Sequence, residues 1–248
     1  NVGLWGQIKY LIGSDDKKLA GEEEDRINIL LLGMGGAGHD GPYLTDTIMI
    51  ASFKPSNNQV ALTSIPRDLM VPIAGFGWRK INHANAFGET KNPGLGAELT
   101  VEVISKTLDI PIHYYVRIDF AGFKKIIDDL GGVKVEVENT LDDEKYPIPG
   151  KETATTSERY EHLYIEQGTQ YMDGDLALKY VRSRQGKGVE GNDFARSKRQ
   201  QKVLMAVKDK ALSVSTLVNP VKISKVMDTL SQHFSTNFKV YEMIRIFN

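Results

Sequence analysis

Short apolar runs alternate with amphipathic stretches along most of the chain. Residues 27–32 are apolar and end at Gly33, the pattern of a buried strand. Two further strands are predicted at 47–53 and 60–65, joined by Lys54-Pro55-Ser56-Asn57-Asn58, whose residues favour a turn. Leu95, Leu99, Val103 and Ile104 fall on one face of a helix over 94–108. A strand at 114–118 leads to Asp119, a good N-cap for a helix that Gly131-Gly132 should stop at 129 or 130. Val133, Val135 and Val137 alternate with Lys134, Glu136 and Glu138, so that strand has one wet face. Residues 138–170 are polar and contain proline, which reads as a long excursion over the surface. A helix follows at 173–180, then a glycine-rich loop over 183–192. Asp193 is expected to cap a helix reaching about Leu212, and two closing helices are predicted at 220–230 and 239–247. Strands and helices interleave throughout. The fold class is therefore α/β, with a central mixed β-sheet flanked by helices on both faces.

The first 26 residues break this pattern. Trp5, Ile8, Tyr10, Leu11 and Ile12 suit a short apolar helix face, and 15–26 is a charged stretch that reads as a solvated linker. Residues 1–26 are thus expected to be a juxtamembrane stalk or linker, and 27–248 the folded domain. A length of 248 residues, 41% hydrophobic, is ample for one sizeable core. No apolar run of about 18 residues occurs, so no segment here is predicted to span a bilayer. A preceding signal or anchor stays open. There are no cysteines, which excludes disulfides, thiolate metal sites and a cysteine nucleophile.

The formal net charge is −1, so no global field selects nucleic acid, and an anion site must come from local clustering. Residues 182–202 supply one. Seven basic side chains (Arg182, Arg184, Lys187, Arg196, Lys198, Arg199 and Lys202) stand against Glu190 and Asp193. Arg196, Arg199 and Gln200 are spaced i, i+3 and i+4 on a helix. Arginine presents a planar fork of donors that suits phosphate oxygens and never deprotonates. Two arginine pairs around a glycine loop would suit a diphosphate. A solvated basic helix face with surface salt bridges explains the spacing equally well. Ile65-Pro66-Arg67-Asp68 follows a strand directly, which places Arg67 where ligands of open α/β sheets gather. Thr45-Asp46-Thr47 opens a strand, and Asp46 is a candidate Mg²⁺ ligand, although an Asp capping a turn is the commoner case. The glycine loop after residue 33 is not a phosphate-binding P-loop, because no Gly-Lys-Ser/Thr follows it. The five histidines lack metal-ligand spacing.

The order of these motifs resembles the LytR-CpsA-Psr family over about residues 27–247. The likeness runs through Thr45-Asp46-Thr47-Ile48-Met49, Ser64-Ile65-Pro66-Arg67-Asp68 and Lys80-Ile81-Asn82. It continues through Ile110-Pro111 with Tyr114-Tyr115, Asp119-Phe120 with Gly122-Phe123, and Leu130-Gly131-Gly132-Val133. Tyr180-Val181-Arg182-Ser183-Arg184, then Asp193, Arg196 and Arg199-Gln200-Gln201, close the series, with Thr236-Asn237 as a late match.

The resemblance implies an extracytoplasmic phosphotransferase on the outer face of a bacterial membrane, held there by an N-terminal anchor. It would move a glycopolymer from a polyprenyl diphosphate to peptidoglycan with Mg²⁺, and would have no nucleic-acid partner. By position, Asp46 would hold the metal, and Arg67, Arg182, Arg184, Arg196 and Arg199 would grip the diphosphate, helped by Gln200. Asp68, Lys80, Asp119 and Asp193 would orient those groups, with Asp46 and Asp193 also candidate proton acceptors. An apolar tunnel would take the polyprenyl tail. Two positions depart from the family pattern: Gly35 stands where an Asp is common, and Leu44 where an Arg is frequent. Asp40, nearby in His39-Asp40-Gly41, is the candidate replacement carboxylate. Alternatives are diphosphate hydrolysis by the same residues, a non-catalytic lipid-diphosphate binder, and, least favoured, a transcriptional regulator.

Overall fold

A computed structural model describes residues 18–148, 150–151 and 154–246. The apolar helix face expected at Trp5–Ile12 lies outside them. Contacts divide the chain into two units: residues 1–34, 43–117 and 235–248 form unit 1, and residues 35–42 and 118–234 form unit 2.

Unit 1 is built on a five-stranded mixed sheet in the order β11-β6-β1-β2-β3. The strands are β1 (Ile27–Met34), β2 (Thr45–Lys54), β3 (Gln59–Ser64), β6 (Tyr114–Asp119) and β11 (Phe234–Thr236). β1, β2 and β3 form an antiparallel meander. The turn between β2 and β3 is a single 3-10 turn that starts at Pro55 and closes on Asn58 in the left-handed region (φ 56°). Side-chain alternation assigns the two faces of the sheet. Leu30, Leu32, Ile48, Ile50 and Tyr115 join a core with Ala84, Ala97, Val103 and Ile104. Those partners lie on helices α1 (His83–Lys91) and α2 (Gly96–Leu108). Residues of opposite parity, Ile27, Ile29 and Tyr114, pack with Phe53, Phe238, Leu19 and Ile246. Helices thus cover both faces, as expected, since Ile246 ends the short helix α9 (Val240–Ile246).

Several elements of unit 1, namely β4 (Met70–Ile73), β5 (Gly77–Lys80), α1 and β11, were not anticipated. β4 and β5 form a small hairpin whose Val71 and Ile73 enter the core, and α1 follows it directly. These elements are short and carry little periodicity. Residues 18–26, expected as solvated linker, are mostly exposed but tied down at a few points. Leu19 is buried, the Ala20 amide donates to the Tyr114 hydroxyl at 2.9 Å, and Arg245 holds Glu22 at 2.7 Å. Burial pushes the Tyr114 hydroxyl up to about 12. At the sheet edge, side chains extend the ladder: Thr236 Oγ1 donates to the Tyr115 carbonyl at 2.6 Å, and Asn237 Oδ1 accepts from the Tyr115 amide at 2.9 Å.

Unit 2 packs α3 (Phe120–Asp129), α5 (Gly174–Arg182) and α6 (Asp193–Ala211) with four strands. These strands are β7 (Val133–Val137), β8 (Leu141–Pro147), β9 (Tyr160–Ile165) and β10 (Gly168–Met172). Asp119 caps α3 through a 2.7 Å bond from the Gly122 amide, and Gly131 and Gly132 end it with φ of 77° and 80°. β7 shows the expected wet and dry alternation and pairs with β10. The segment expected to wander over the surface instead contains the β8–β9 hairpin. Leu141, Tyr146, Leu163 and Ile165 are buried there, and Asp143 with them. A register shift between Asp143 and Tyr146 hides the alternation that would have revealed β8. Past α6, a one-turn helix α7 (Val214–Leu217) leads to α8 (Pro220–His233), which packs on α3. α4 (Thr156–Arg159) is a further single turn.

Candidate functional site

In unit 1, three separate sequence motifs meet. Arg67, just past β3, donates to the Asp46 carboxylate at the start of β2. Asp68 accepts from Lys80 Nζ at 2.8 Å and lies 3.8 Å from Arg67 Nε. Backbone bonds fix the arrangement: the Asn82 amide donates to the Arg67 carbonyl at 3.2 Å, and the Thr45 amide to the Asn82 carbonyl at 3.3 Å. Asp46, Arg67, Asp68 and Lys80 thus form one connected set of ion pairs. Around it, Arg67 Nε, Asn82 Oδ1 and His83 Nδ1 are buried without a hydrogen-bond partner. Such groups are costly when left unpaired, which makes this cluster the candidate site of unit 1.

Behind this cluster is a buried pair the sequence did not disclose. Arg117 on β6 donates to Glu89 on α1 and, at 2.9 Å, to the Asn85 side chain. Burial alone would push Glu89 up. The Arg117 bond and the Gly94 and Gly96 amides outweigh it and hold the carboxyl below its ordinary range.

In unit 2 the basic segment divides by role. Arg182, the last residue of α5, lies over the Phe120 ring at 4.5 Å, a cation–π contact, and His39 meets the same ring edge-on at 5.3 Å. Arg182 also reaches the Tyr146 hydroxyl, which burial pushes up and the guanidinium draws down. Arg196 and Arg184 share Asp193, at 3.0 and 3.9 Å to the same carboxylate oxygen. Arg184, Arg196 and Asp193 thus cluster at the start of α6, while Arg182 ends α5 against Phe120 and Tyr146. Asp193 is the first residue of α6 and not its cap. Asn192 caps the helix, accepting from the Ala195 amide at 2.9 Å.

Arg199 and Gln200 do not belong to this set, in which Arg184 is exposed, Arg182 half-buried and Arg196 buried. Arg199 is buried and fully committed. It donates to the carbonyls of Tyr180 (2.9 Å), Ser183 (2.6 Å) and Glu190 (3.1 Å), and to the Glu190 carboxylate at 2.5 Å. It caps the C-terminal end of α5 and cannot also grip a phosphate without breaking those bonds. Gln200 donates to the Val181 carbonyl at 3.4 Å, a similar structural task. Most of the remaining lysines are neutralised. Lys198 and Lys202 both hold Glu138, and Lys187 holds Asp142 and Glu144. Lys202 and Lys198 lower the Glu138 carboxyl, and Lys187 with His162 lowers that of Asp142. For these three the surface salt-bridge reading is right.

Nothing in the residue pattern pointed to Asp143. Its Oδ2 accepts from the Ser183 hydroxyl at 2.6 Å and the Gln185 amide at 3.2 Å, which pins the loop between Arg182 and Arg184. Asp119, besides capping α3, bonds His233 at 3.1 Å. Asp40 is exposed in the 37–42 loop and makes no ion pair among the described residues. Gly36, at φ 81°, presses on Asp119 so closely that a Cβ would stand 2.7 Å from the Asp119 Cβ.

Residues 7–248 match the LytR_cpsA_psr family. The chain belongs to the LytR-CpsA-Psr family. The polyisoprenyl-teichoic acid–peptidoglycan teichoic acid transferase TagT of Bacillus subtilis is 30% identical to this family member over 230 residues. The match covers 90% of this chain and 64% of that protein. TagU of Oceanobacillus iheyensis, named for the same transfer, is 32% identical over 217 residues, 87% of this chain and 60% of that protein. A solved structure of the LytR-CPS2A-psr family protein YwtF (TagT) with bound octaprenyl pyrophosphate lipid matches with a TM-score of 0.61 at 27% identity. It covers 94% of this chain and 75% of that one. This LytR-CpsA-Psr chain spans less than two thirds of the length of those two curated relatives.

Proposed function

We propose that this LytR-CpsA-Psr protein transfers a glycopolymer, or its precursor, from an undecaprenyl-diphosphate carrier to peptidoglycan on the outer face of the cell membrane. The relatives support the class of reaction, being named for teichoic acid transfer to peptidoglycan, and one of them binds octaprenyl pyrophosphate. The apolar tunnel for the carrier's tail belongs to the same reading. In this chain the observation that carries it is Arg67. Its guanidinium is oriented by Asp46 and Asp68, yet its buried Nε has no hydrogen-bond partner. A phosphate oxygen satisfies such a donor with a charge-assisted bond.

The resemblance to the family assigns Arg67, Arg182, Arg184 and Arg196 to the diphosphate, and Arg67 has an open buried donor. The acceptor hydroxyl attacks the glycan-bearing phosphorus, forming a new P–O bond while the bond to the carrier phosphate breaks. Polyprenyl phosphate leaves. The hydroxyl proton passes to a carboxylate, for which Asp46 and Asp193 are the candidates. The arginines stabilise charge on the phosphoryl oxygens without reorganising.

The residues of unit 1 fit Mg²⁺ as a partner of bound phosphate. Asp46 offers a carboxylate, and the buried Asn82 Oδ1 an unused oxygen. Among the described residues no three acidic or histidine side chains gather as a self-contained cage. One or two protein oxygens plus phosphate and water is the usual Mg²⁺ arrangement. Held there, the ion would supply positive charge to the reacting phosphate. Asp40 is free to serve as the carboxylate missing at Gly35.

The test is to supply a polyprenyl-diphosphate-linked glycan and purified peptidoglycan, and to follow both released polyprenyl phosphate and glycan attached to the wall. Release with attachment, abolished by chelation, supports transfer. Release without attachment makes the protein a hydrolase, and ligand retained without turnover makes it a binder.

A further inference from the structure

The corner that joins α6 to α8 is inverted in polarity. Between residues 212 and 221 five aliphatic side chains face solvent: Val214 at 76% exposure, Val218 at 72%, Val221 at 62%, Leu217 at 56% and Leu212 at 46%. Ser215 apart, which is exposed, the polar side chains of the same stretch bond back onto its own backbone. Ser213 Oγ donates to the Lys210 carbonyl at 2.7 Å, and Thr216 Oγ1, on a buried residue, to the same carbonyl at 2.9 Å. Asn219 Oδ1 accepts from the Lys222 amide at 3.1 Å. Much of the backbone is also paired within the stretch, although the amides of Val214, Ser215 and Val221 are left open among the described residues. The amides of Thr216 and Leu217 donate to the Ser213 carbonyl, that of Val218 to Val214, and that of Asn219 to Thr216.

With most of its polar groups paired internally, such a segment suits the hydrated headgroup level, where its open amides keep water or lipid oxygens as partners while its aliphatic side chains reach the acyl boundary. The surroundings point to the same environment. Lys208, Lys210, Lys222 and Lys225 flank the corner against Asp209 and Asp228; Lys208 pairs with Asp209 and Lys222 Nζ donates to the Leu130 carbonyl at 3.1 Å, whereas Lys210 and Lys225 form no ion pair within 4.0 Å among the described residues. Lysine stems lie along apolar surface while their ammonium heads reach anionic headgroups. A protein-binding patch would be expected to carry Trp, Tyr or Arg anchors, and the corner carries none.

We propose that the α7 corner is a membrane-docking surface. Its aliphatic side chains enter the headgroup–acyl boundary of an anionic bilayer, and its lysines meet the lipid phosphates. The inference stands independently of the transfer reaction, because it concerns a lipid surface and no carrier lipid.

Vesicle sedimentation tests it with the 248-residue chain. The vesicles are phosphatidylglycerol mixed with phosphatidylcholine, without polyprenyl lipid. The chain is expected to bind. The Val214→Ser, Val218→Ser double variant should bind about tenfold more weakly, with an unchanged urea midpoint. Val189→Ser, at another exposed valine, should bind as the parent does. Lys210→Gln with Lys225→Gln should lower binding to anionic vesicles only. Since all variants keep residues 1–17, the differences report the corner alone. Equal binding by the double serine variant would overturn the proposal. So would a dimer of the parent chain that the double variant abolishes, because the corner would then serve a second copy of the chain.

Discussion

Arg199 and Glu190, both almost excluded from solvent, are joined by a 2.5 Å bond at the foot of the glycine loop. The arginine also collects the Tyr180 and Ser183 carbonyls, so one buried guanidinium sets the path of the chain between α5 and α6. Arg199→Met should therefore damage folding more than recognition. Removing one partner of a buried pair costs about 3–5 kcal/mol, which for a domain of this size lowers Tm by roughly 6–20 °C. Thermal unfolding checks this. A variant that keeps its Tm but loses substrate affinity would return Arg199 to the list of phosphate donors.

Arg67 should behave in the opposite way. Its pairing with Asp46 is partly exposed, so breaking it changes stability by only about 0–1 kcal/mol. A lost charge-assisted contact to phosphate is worth about 1.5–3 kcal/mol, or about 10- to 100-fold in turnover. Arg67→Gln should thus unfold near the parent temperature and transfer glycan at a small fraction of the parent rate. Unfolding midpoints and initial rates on the same preparation decide between the two effects.

The Glu89–Arg117 pair makes acid stability a readout of unit 1. The Glu89 carboxyl is held below its unfolded value, so the folded state binds its proton less readily than the unfolded chain does. Its contribution is fully present above the ordinary Glu range, near 4.5, and is lost as pH falls through the folded value. Glu89→Gln should be less stable than the parent at neutral pH. The gap between the two should narrow as the pH drops below that range. Urea midpoints between neutral pH and about pH 3 check the sign.

If Mg²⁺ is held by Asp46, Asp46→Asn should raise the Mg²⁺ concentration needed for half-maximal transfer. Asp40→Ala should do the same if that exposed carboxylate replaces the one absent at Gly35. Titration calorimetry with Mg²⁺ and a diphosphate analogue measures both. An Asp40→Ala protein with unchanged metal affinity removes Asp40 from the site.

The periodic part of this fold was legible in the sequence because burial there follows one period at a time. β1, β2, β7, α2 and α3 sit within a few residues of their predicted positions. β4, β5 and α1 were invisible because they are brief and lack apolar periodicity. β8 was invisible because a register shift scrambles its alternation and its buried Asp143 reads as surface. The site was half legible. Composition and spacing identify where guanidinium groups concentrate, but not which of them the fold uses for itself. Arg184 and Arg196 share one carboxylate, whereas Arg199 is enclosed by carbonyls that only the fold supplies. Lys198 and Lys202 were counted as free positive charge because Glu138 is distant in sequence.

The three-residue β11 has a bearing on solubility. An outermost strand with a long open row of amides and carbonyls is a template on which foreign strands can stack. Here that row is brief, and Thr236 and Asn237 spend side-chain atoms on the Tyr115 backbone groups that would otherwise recruit a neighbour. Shortening the chain ahead of Phe234 would bare the aromatic Tyr114–Asp119 segment, and fibrous self-assembly is the expected result.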